Sequence, residues 1–180
     1  MKKNMLISTA LLCLFAATLV LSGCTKEPGV QPPNDPMISE KITLYFSDDQ
    51  AMYLIPETRE ITVNKDTRTA VTVAEAIVKE LIAGPADTKF IATIPKEAKL
   101  LSVKITDKIA YVDFSEEIKS KHPGGSTGEL MTLNSLVNSL TELPEIQKVQ
   151  ILINGQNVET LAGHADLTQP LMRDETVIKK

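Results

Sequence analysis

Two stretches of helical spacing each fall between pairs of strand-like stretches, and this order narrows the possible folds of the chain more than any other feature. Lys41–Ser47 alternates, with Ile42, Leu44 and Phe46 pointing one way and Thr43 and Tyr45 the other, the pattern of a half-buried strand. Asp48-Asp49-Gln50 reads as a turn. Tyr53–Ile55 and Glu60–Val63 read as two strand pieces interrupted by Pro56. A helix is expected from Thr72, placed three residues before Glu75 at capping-box spacing. Val73, Ile77 and Leu81 form its apolar face, Glu75 and Lys79 pair across one turn outside, and Gly84-Pro85 stops it. Leu101, Val103 and Ile105 alternate into Thr106-Asp107-Lys108, and Ala110, Val112 and Phe114 return as a hairpin. After the Gly124-Gly125 loop, Ser126 or Thr127 is expected to cap a second helix reaching Leu140, with Leu130, Leu133, Val137 and Leu140 as its apolar stripe. Val149, Ile151 and Ile153 make a strand closed by Asn154-Gly155, with Val158–Leu161 as its expected partner. Helices that interrupt hairpins favour an α+β fold, with two helices packed on a mainly antiparallel sheet in a single domain.

The first residues belong to a different kind of segment. Lys2 and Lys3 precede an uncharged, mostly apolar run from Met5 to Val20. Leu21-Ser22-Gly23 then leads into Cys24. This is the order of a cleaved secretory signal, and the run is too short for a spanning helix of about 20 apolar residues. Leu21-Ser22-Gly23-Cys24 resembles the bacterial lipobox, which implies lipidation of the Cys24 thiol and a membrane anchor. The expected organisation is therefore a signal peptide at 1–23, a tether at 24–39 and a folded domain at 40–180. Pro28, Pro32, Pro33 and Pro36 make that tether extended, at about 3.1 Å per residue in polyproline II. Cys13 lies in the removed segment and Cys24 would be consumed by lipid, so no disulfide is expected and stability must come from a packed core.

Charge and composition exclude several activities. Removing Lys2 and Lys3 from the 19 basic residues leaves 17 against 23 acidic ones, a net charge of −6. With no basic block, nucleic acid is not an expected partner. The absence of Trp weakens any stacking platform for sugars or bases. His122 and His164, the only histidines, stand apart in loops, so no zinc site or other metal site is expected and no cofactor is called for. Asp113, Glu116 and Glu117 follow a strand end. Paired carboxylates can serve acid–base chemistry, but a helix N-terminus capped by Ser115 is the simpler reading. Gly124-Gly125-Ser126-Thr127 lacks the lysine of a phosphate-binding loop and reads as loop and cap.

A set of short motifs, in order, carries a family resemblance. Leu44-Tyr45-Phe46, Leu54-Ile55-Pro56-Glu57-Thr58-Arg59 and Leu81-Ile82-Ala83-Gly84-Pro85 open it. Ile94-Pro95, Ala110-Tyr111-Val112-Asp113-Phe114-Ser115 and Leu140-Thr141-Glu142-Leu143-Pro144 continue it. Val149–Gly155, Gly163–Leu167 and Pro170-Leu171 close it. Together they resemble the GerMN domain of the sporulation and spore germination family from Ile42 to Leu171, departing at Glu97, where a turn glycine is expected. The resemblance implies an α/β module on the outer face of the cytoplasmic membrane, similar to ring-building modules of secretion machines, and this chain departs from it in copy number, with one such domain where the protein that named the family resembles a tandem of two. The resemblance implies assembly of an envelope complex and brings no catalytic residues.

The function expected from residues and resemblance together is a non-enzymatic, membrane-anchored assembly or scaffold module, joined to other envelope proteins or to itself. The face Thr132, Ser135, Asn138 and Ser139 of the second helix is polar but uncharged, and interface cores are depleted in charge, so it is the expected interface. The alternative is an extracytoplasmic ligand-binding module for cell-wall glycan or a small solute. A hydrolase ranks third and would need Asp113 and Glu116 facing each other across a groove.

Overall fold

A computed structural model describes residues 36–179. Cys24 and the expected signal segment lie outside these residues. The first two strands, β1 (Met37–Ser47) and β2 (Leu54–Asn64), form an antiparallel two-stranded sheet with Tyr45 opposite Pro56. β1 begins at Met37, inside the stretch read as tether. β2 is continuous through Pro56, contrary to expectation, and Tyr45 gives the reason. Its N–H donates to Ser139 Oγ at 3.0 Å and its carbonyl accepts from Ser135 Oγ at 2.5 Å. Both groups thus face away from β2. Tyr45 and Pro56 form a pair without mutual hydrogen bonds, and the proline nitrogen lies on the outer edge where no donor is required.

Helix α1 (Ala70–Ala83) starts earlier than expected. Its cap is Thr69, whose side chain accepts from Thr72 N–H at 3.1 Å while Thr72 Oγ1 accepts from Thr69 N–H at 2.9 Å. A threonine thus completes the capping box in place of Glu75, which stays outside and approaches Lys79 at 4.0 Å. Gly84, at φ 87°, ends the helix. Val73, Ala74, Ile77, Val78 and Leu81 are buried on the face that meets β1 and β3.

β3 (Leu100–Thr106) and β4 (Ile109–Phe114) form the expected hairpin. Its two loop residues, Asp107 and Lys108, both have positive φ, at 50° and 61°, the twist that a two-residue hairpin needs. A one-turn α2 (Glu117–Ser120) and the long α3 (Ser126–Leu140) carry the chain over to β5 (Lys148–Ile153), which runs parallel to β4. The second sheet is therefore mixed, in the order β3-β4-β5-β6 with β7 (Leu171–Met172) also on β5. β6 (Gln156–Asn157) follows the Asn154-Gly155 turn, but pairing stops there, and Val158–Leu161 is not a strand because Leu161 N–H turns to α3 instead. The fold is α+β. A continuous core runs between sheets and helices through Leu44, Phe46, Ile77, Leu81, Phe114, Leu136 and Leu140, all at most 1% exposed. At Glu97 the expected glycine is not needed: Ala98 N–H closes a turn on Pro95 at 3.0 Å with no positive φ.

Candidate functional site

The helix face expected to be an interface is interior. Thr132 is 2% exposed, and Ser135, Asn138 and Ser139 are fully buried. They are satisfied within the chain. Ser135 and Ser139 hold the Tyr45 peptide, Thr93 Oγ1 donates to Ser135 Oγ at 2.6 Å, and Thr132 Oγ1 donates to Thr93 O at 2.5 Å. Asn138 accepts from Asp174 N–H at 3.0 Å and donates to Asp174 O at 2.9 Å. This replaces the interface reading. The scarcity of charge does mark burial, but the partners are β1, the 91–93 loop and the C-terminal segment of the same chain.

The buried surface of α3 extends nearly all round it, and Leu130, expected in the core stripe, is 45% exposed. Its place at the head of the stripe is taken by Glu129, which is fully buried. Glu129 accepts from Thr160 Oγ1 at 2.6 Å and from the N–H groups of Leu161, Ala162 and His164 at 2.9, 3.0 and 2.9 Å. Burial, the largest single influence, pushes this carboxyl up, but the Thr160 hydroxyl and the three N–H donors together outweigh it and hold it at about 2. The carboxylate fixes the 160–164 loop against α3. Neither Ser126 nor Thr127 caps α3. Gly125 occupies that position at φ 80°, with no side-chain bond.

His122 anchors the loop before α3. Gly124 N–H donates to Nδ1 at 2.9 Å, so Nδ1 carries no proton and Nε2–H faces Thr132 Oγ1 at 2.9 Å. Burial lowers its pKa. The acidic trio is dispersed. Asp113 accepts from Gly155 N–H at 2.8 Å across the β5–β6 turn, and Glu116 caps α2 with its backbone alone. The Ser115 hydroxyl accepts from Lys99 N–H at 3.0 Å and lowers the pKa of Glu117. Among the described residues, no three His, Cys, Asp or Glu side chains gather to hold a metal ion.

Two arginines clasp distant elements, and neither was singled out in the sequence. Arg59 on β2 bonds Glu80 at 2.7 Å, Gly84 O at 2.6 Å and Glu57 at 2.7 Å, over the Phe46 ring. It thereby ties the Leu54–Arg59 motif to the Gly84-Pro85 helix end. Arg173 reaches Tyr45 Oη at 3.0 Å, Asn138 O at 2.7 Å, Glu142 at 2.9 Å and Glu175. Burial opposes its charge, but the Glu175 and Tyr45 hydrogen bonds raise its pKa well above the usual value.

Large apolar residues are exposed at the 48–53 turn and Ile91, and elsewhere at Met37, Leu101, Leu130 and Met172. Met52 is 59%, Ile91 50% and Tyr53 41% exposed. Ala51 lines a cleft of about 270 Å³ with Ile91, Pro123, Gly124 and Met131. Tyr53 lines another, of about 640 Å³, with Glu175, Ile178 and Lys179 of the C-terminal segment. The apolar turn therefore stands between two clefts, and the geometry suits contact with another apolar surface. Among the described residues, no helix is long and apolar enough to cross a membrane.

Comparison with known proteins agrees with this architecture. The family described as Germane, sporulation and spore germination, matches residues 43–159. The spore germination protein GerM of Bacillus subtilis (strain 168) is 29% identical over 155 residues, covering 80% of this chain and 39% of the relative. The chain thus spans about two-fifths of that relative's length. A crystal structure of a candidate lipoprotein from Clostridium perfringens is 30% identical, with a TM-score of 0.53 over 74% of this chain and 87% of that one. The first GerMN domain of Bacillus subtilis GerM has a TM-score of 0.61 at 23% identity, covering 74% of this chain and 98% of that domain, and so shares the fold.

Proposed function

Since this chain belongs to the Germane family of sporulation and spore germination, we propose that it is an assembly module of the cell envelope, anchored to the membrane through lipid on Cys24, acting by contact and not by catalysis. The observation that carries this reading is the exposed apolar turn Met52-Tyr53 with Ile91 between two clefts. Single exposed apolar residues are ordinary, but a cluster flanked by clefts is typical of a protein contact. The similar proteins are described as spore germination, sporulation and lipoprotein chains, which supports an envelope role. The Pro-rich sequence before β1 has the composition expected of a tether. The second reading, a binder of a small extracytoplasmic solute, draws on the 640 Å³ cleft.

The test has two arms. Cys24→Ala, expressed in the native host, is expected to lose labelling by palmitate analogues and to leave the membrane fraction. Unchanged label and fractionation would remove the anchor. Purified protein incubated with peptidoglycan fragments is expected to leave them intact. Turnover of those fragments would overturn the contact reading.

A further inference from the structure

The C-terminal segment past β7 behaves in the structure as a ligand of its own chain. Residues 173–179 cross the C-terminal half of α3 and end beside β2, held by side chains and edges of the body and, at the start of the segment, by Arg173 reaching Tyr45 Oη, Asn138 O and Glu142. Asn138 grips the Asp174 peptide from both sides, at 3.0 and 2.9 Å. Ile178 makes a parallel bridge with Leu54, and Lys179 N–H donates to Leu54 O at 2.9 Å. Val177 and Ile178 pack on Tyr45, Leu54 and Met131, a cluster separate from the main core. The seat is a slot with an apolar floor, a strand edge on one side and a buried amide on the other. It is not sealed, since the 640 Å³ cleft remains between the segment and Tyr53.

We infer that this strap and its slot exchange between neighbouring copies of the chain, the strap of one copy seating along Leu54 and α3 of the next. The inference rests on the assembly reading and names a second copy as the partner. A strap that opens at Arg173 keeps β7 paired on β5, so the donor's own sheet is undisturbed. Seven extended residues reach roughly 25 Å. Every contact made within one copy is reproduced between two, so no new complementary surface is needed, as in other segment exchanges. Confinement to a membrane raises the local concentration of copies and makes exchange competitive with self-seating.

The test uses the full chain in its native membrane. One tagged copy carries Tyr53→Cys and a differently tagged copy carries Lys179→Cys, two positions that line the same cleft. The chain's own cysteines, Cys13 and Cys24, lie outside the described residues, and copies with these alone give the background. A short bismaleimide is added, and both tags are sought in one cross-linked band. Exchange predicts a mixed dimer about tenfold more abundant than in copies that also carry Ile178→Asp on the Lys179→Cys chain, because the strap then loses its seat. A thermal melt of the Ile178→Asp protein establishes that the body remains folded. A mixed dimer no more abundant than in the Ile178→Asp pair overturns the exchange. That failure leaves the assembly reading intact, because the latter is tested at Met52 and Ile91.

Discussion

Glu129 is the residue whose chemistry the fold depends on most visibly. It gathers three backbone N–H groups and a hydroxyl with no solvent exposure. Glu129→Gln keeps the shape but places an amide NH₂ where a donor already points. One buried donor is then unsatisfied, at a cost of about 1–3 kcal/mol. The expected result is a lower melting temperature and faster hydrogen exchange at Leu161, Ala162 and His164. The same residue sets an acid limit. Its folded pKa is about 2 against an ordinary 4.5, so between those two values it binds fewer protons folded than unfolded. Its stabilisation is complete above about 4.5 and is lost as the pH falls toward 2. Denaturant titrations of the wild type across that window are expected to show falling stability, with a shallower slope in Glu129→Gln.

At the scale of elements, α3 shows how far the sequence could be read. The helix is where the spacing placed it, as are the β3–β4 hairpin, the Asn154-Gly155 turn and, apart from its start, the first helix, because periodicity and turn residues act locally. Its orientation was not legible. The core stripe runs Glu129, Leu133, Leu136, Val137, Leu140, and a carboxylate at its head directs an apolar pattern to Leu130 instead. The missing information lies about 30 residues downstream, in the 160–164 loop that solvates Glu129. The uncharged face Thr132, Ser135, Asn138 and Ser139 reads from sequence as an outer face but is buried within the chain, partly under a C-terminal segment that has no periodicity of its own. Continuity through Pro56 was hidden for a related reason: it depends on which way the Tyr45 peptide faces, which α3 determines. A paired substitution tests the revised orientation. Ser135→Glu buries an unpaired charge and is expected to cost several kcal/mol or prevent folding. Leu130→Glu, at an exposed site, is expected to change stability by no more than about 0.5 kcal/mol. Equal melts for the two would contradict the orientation.

At the scale of the whole molecule, the polar interior and the arginine clasps hold the domain together, and several apolar residues are left exposed at its surface. The motifs that resemble the family, Leu54–Arg59 with Gly84-Pro85 and Gly163–Leu167 with Glu129, form structural ties. The proposed contact role falls on the surface between the clefts. The most direct measurement is a fluorescent fusion of the Met52→Asp, Ile91→Asp double variant, imaged in the native host beside a thermal melt of the purified protein. Both positions are at least half exposed, so the melt is expected to stay within a few degrees of wild type. A charge buried in an interface without a partner is strongly destabilising, so localisation and envelope assembly are expected to fail. A double variant that melts normally and also localises and assembles normally would contradict the contact role assigned to this surface.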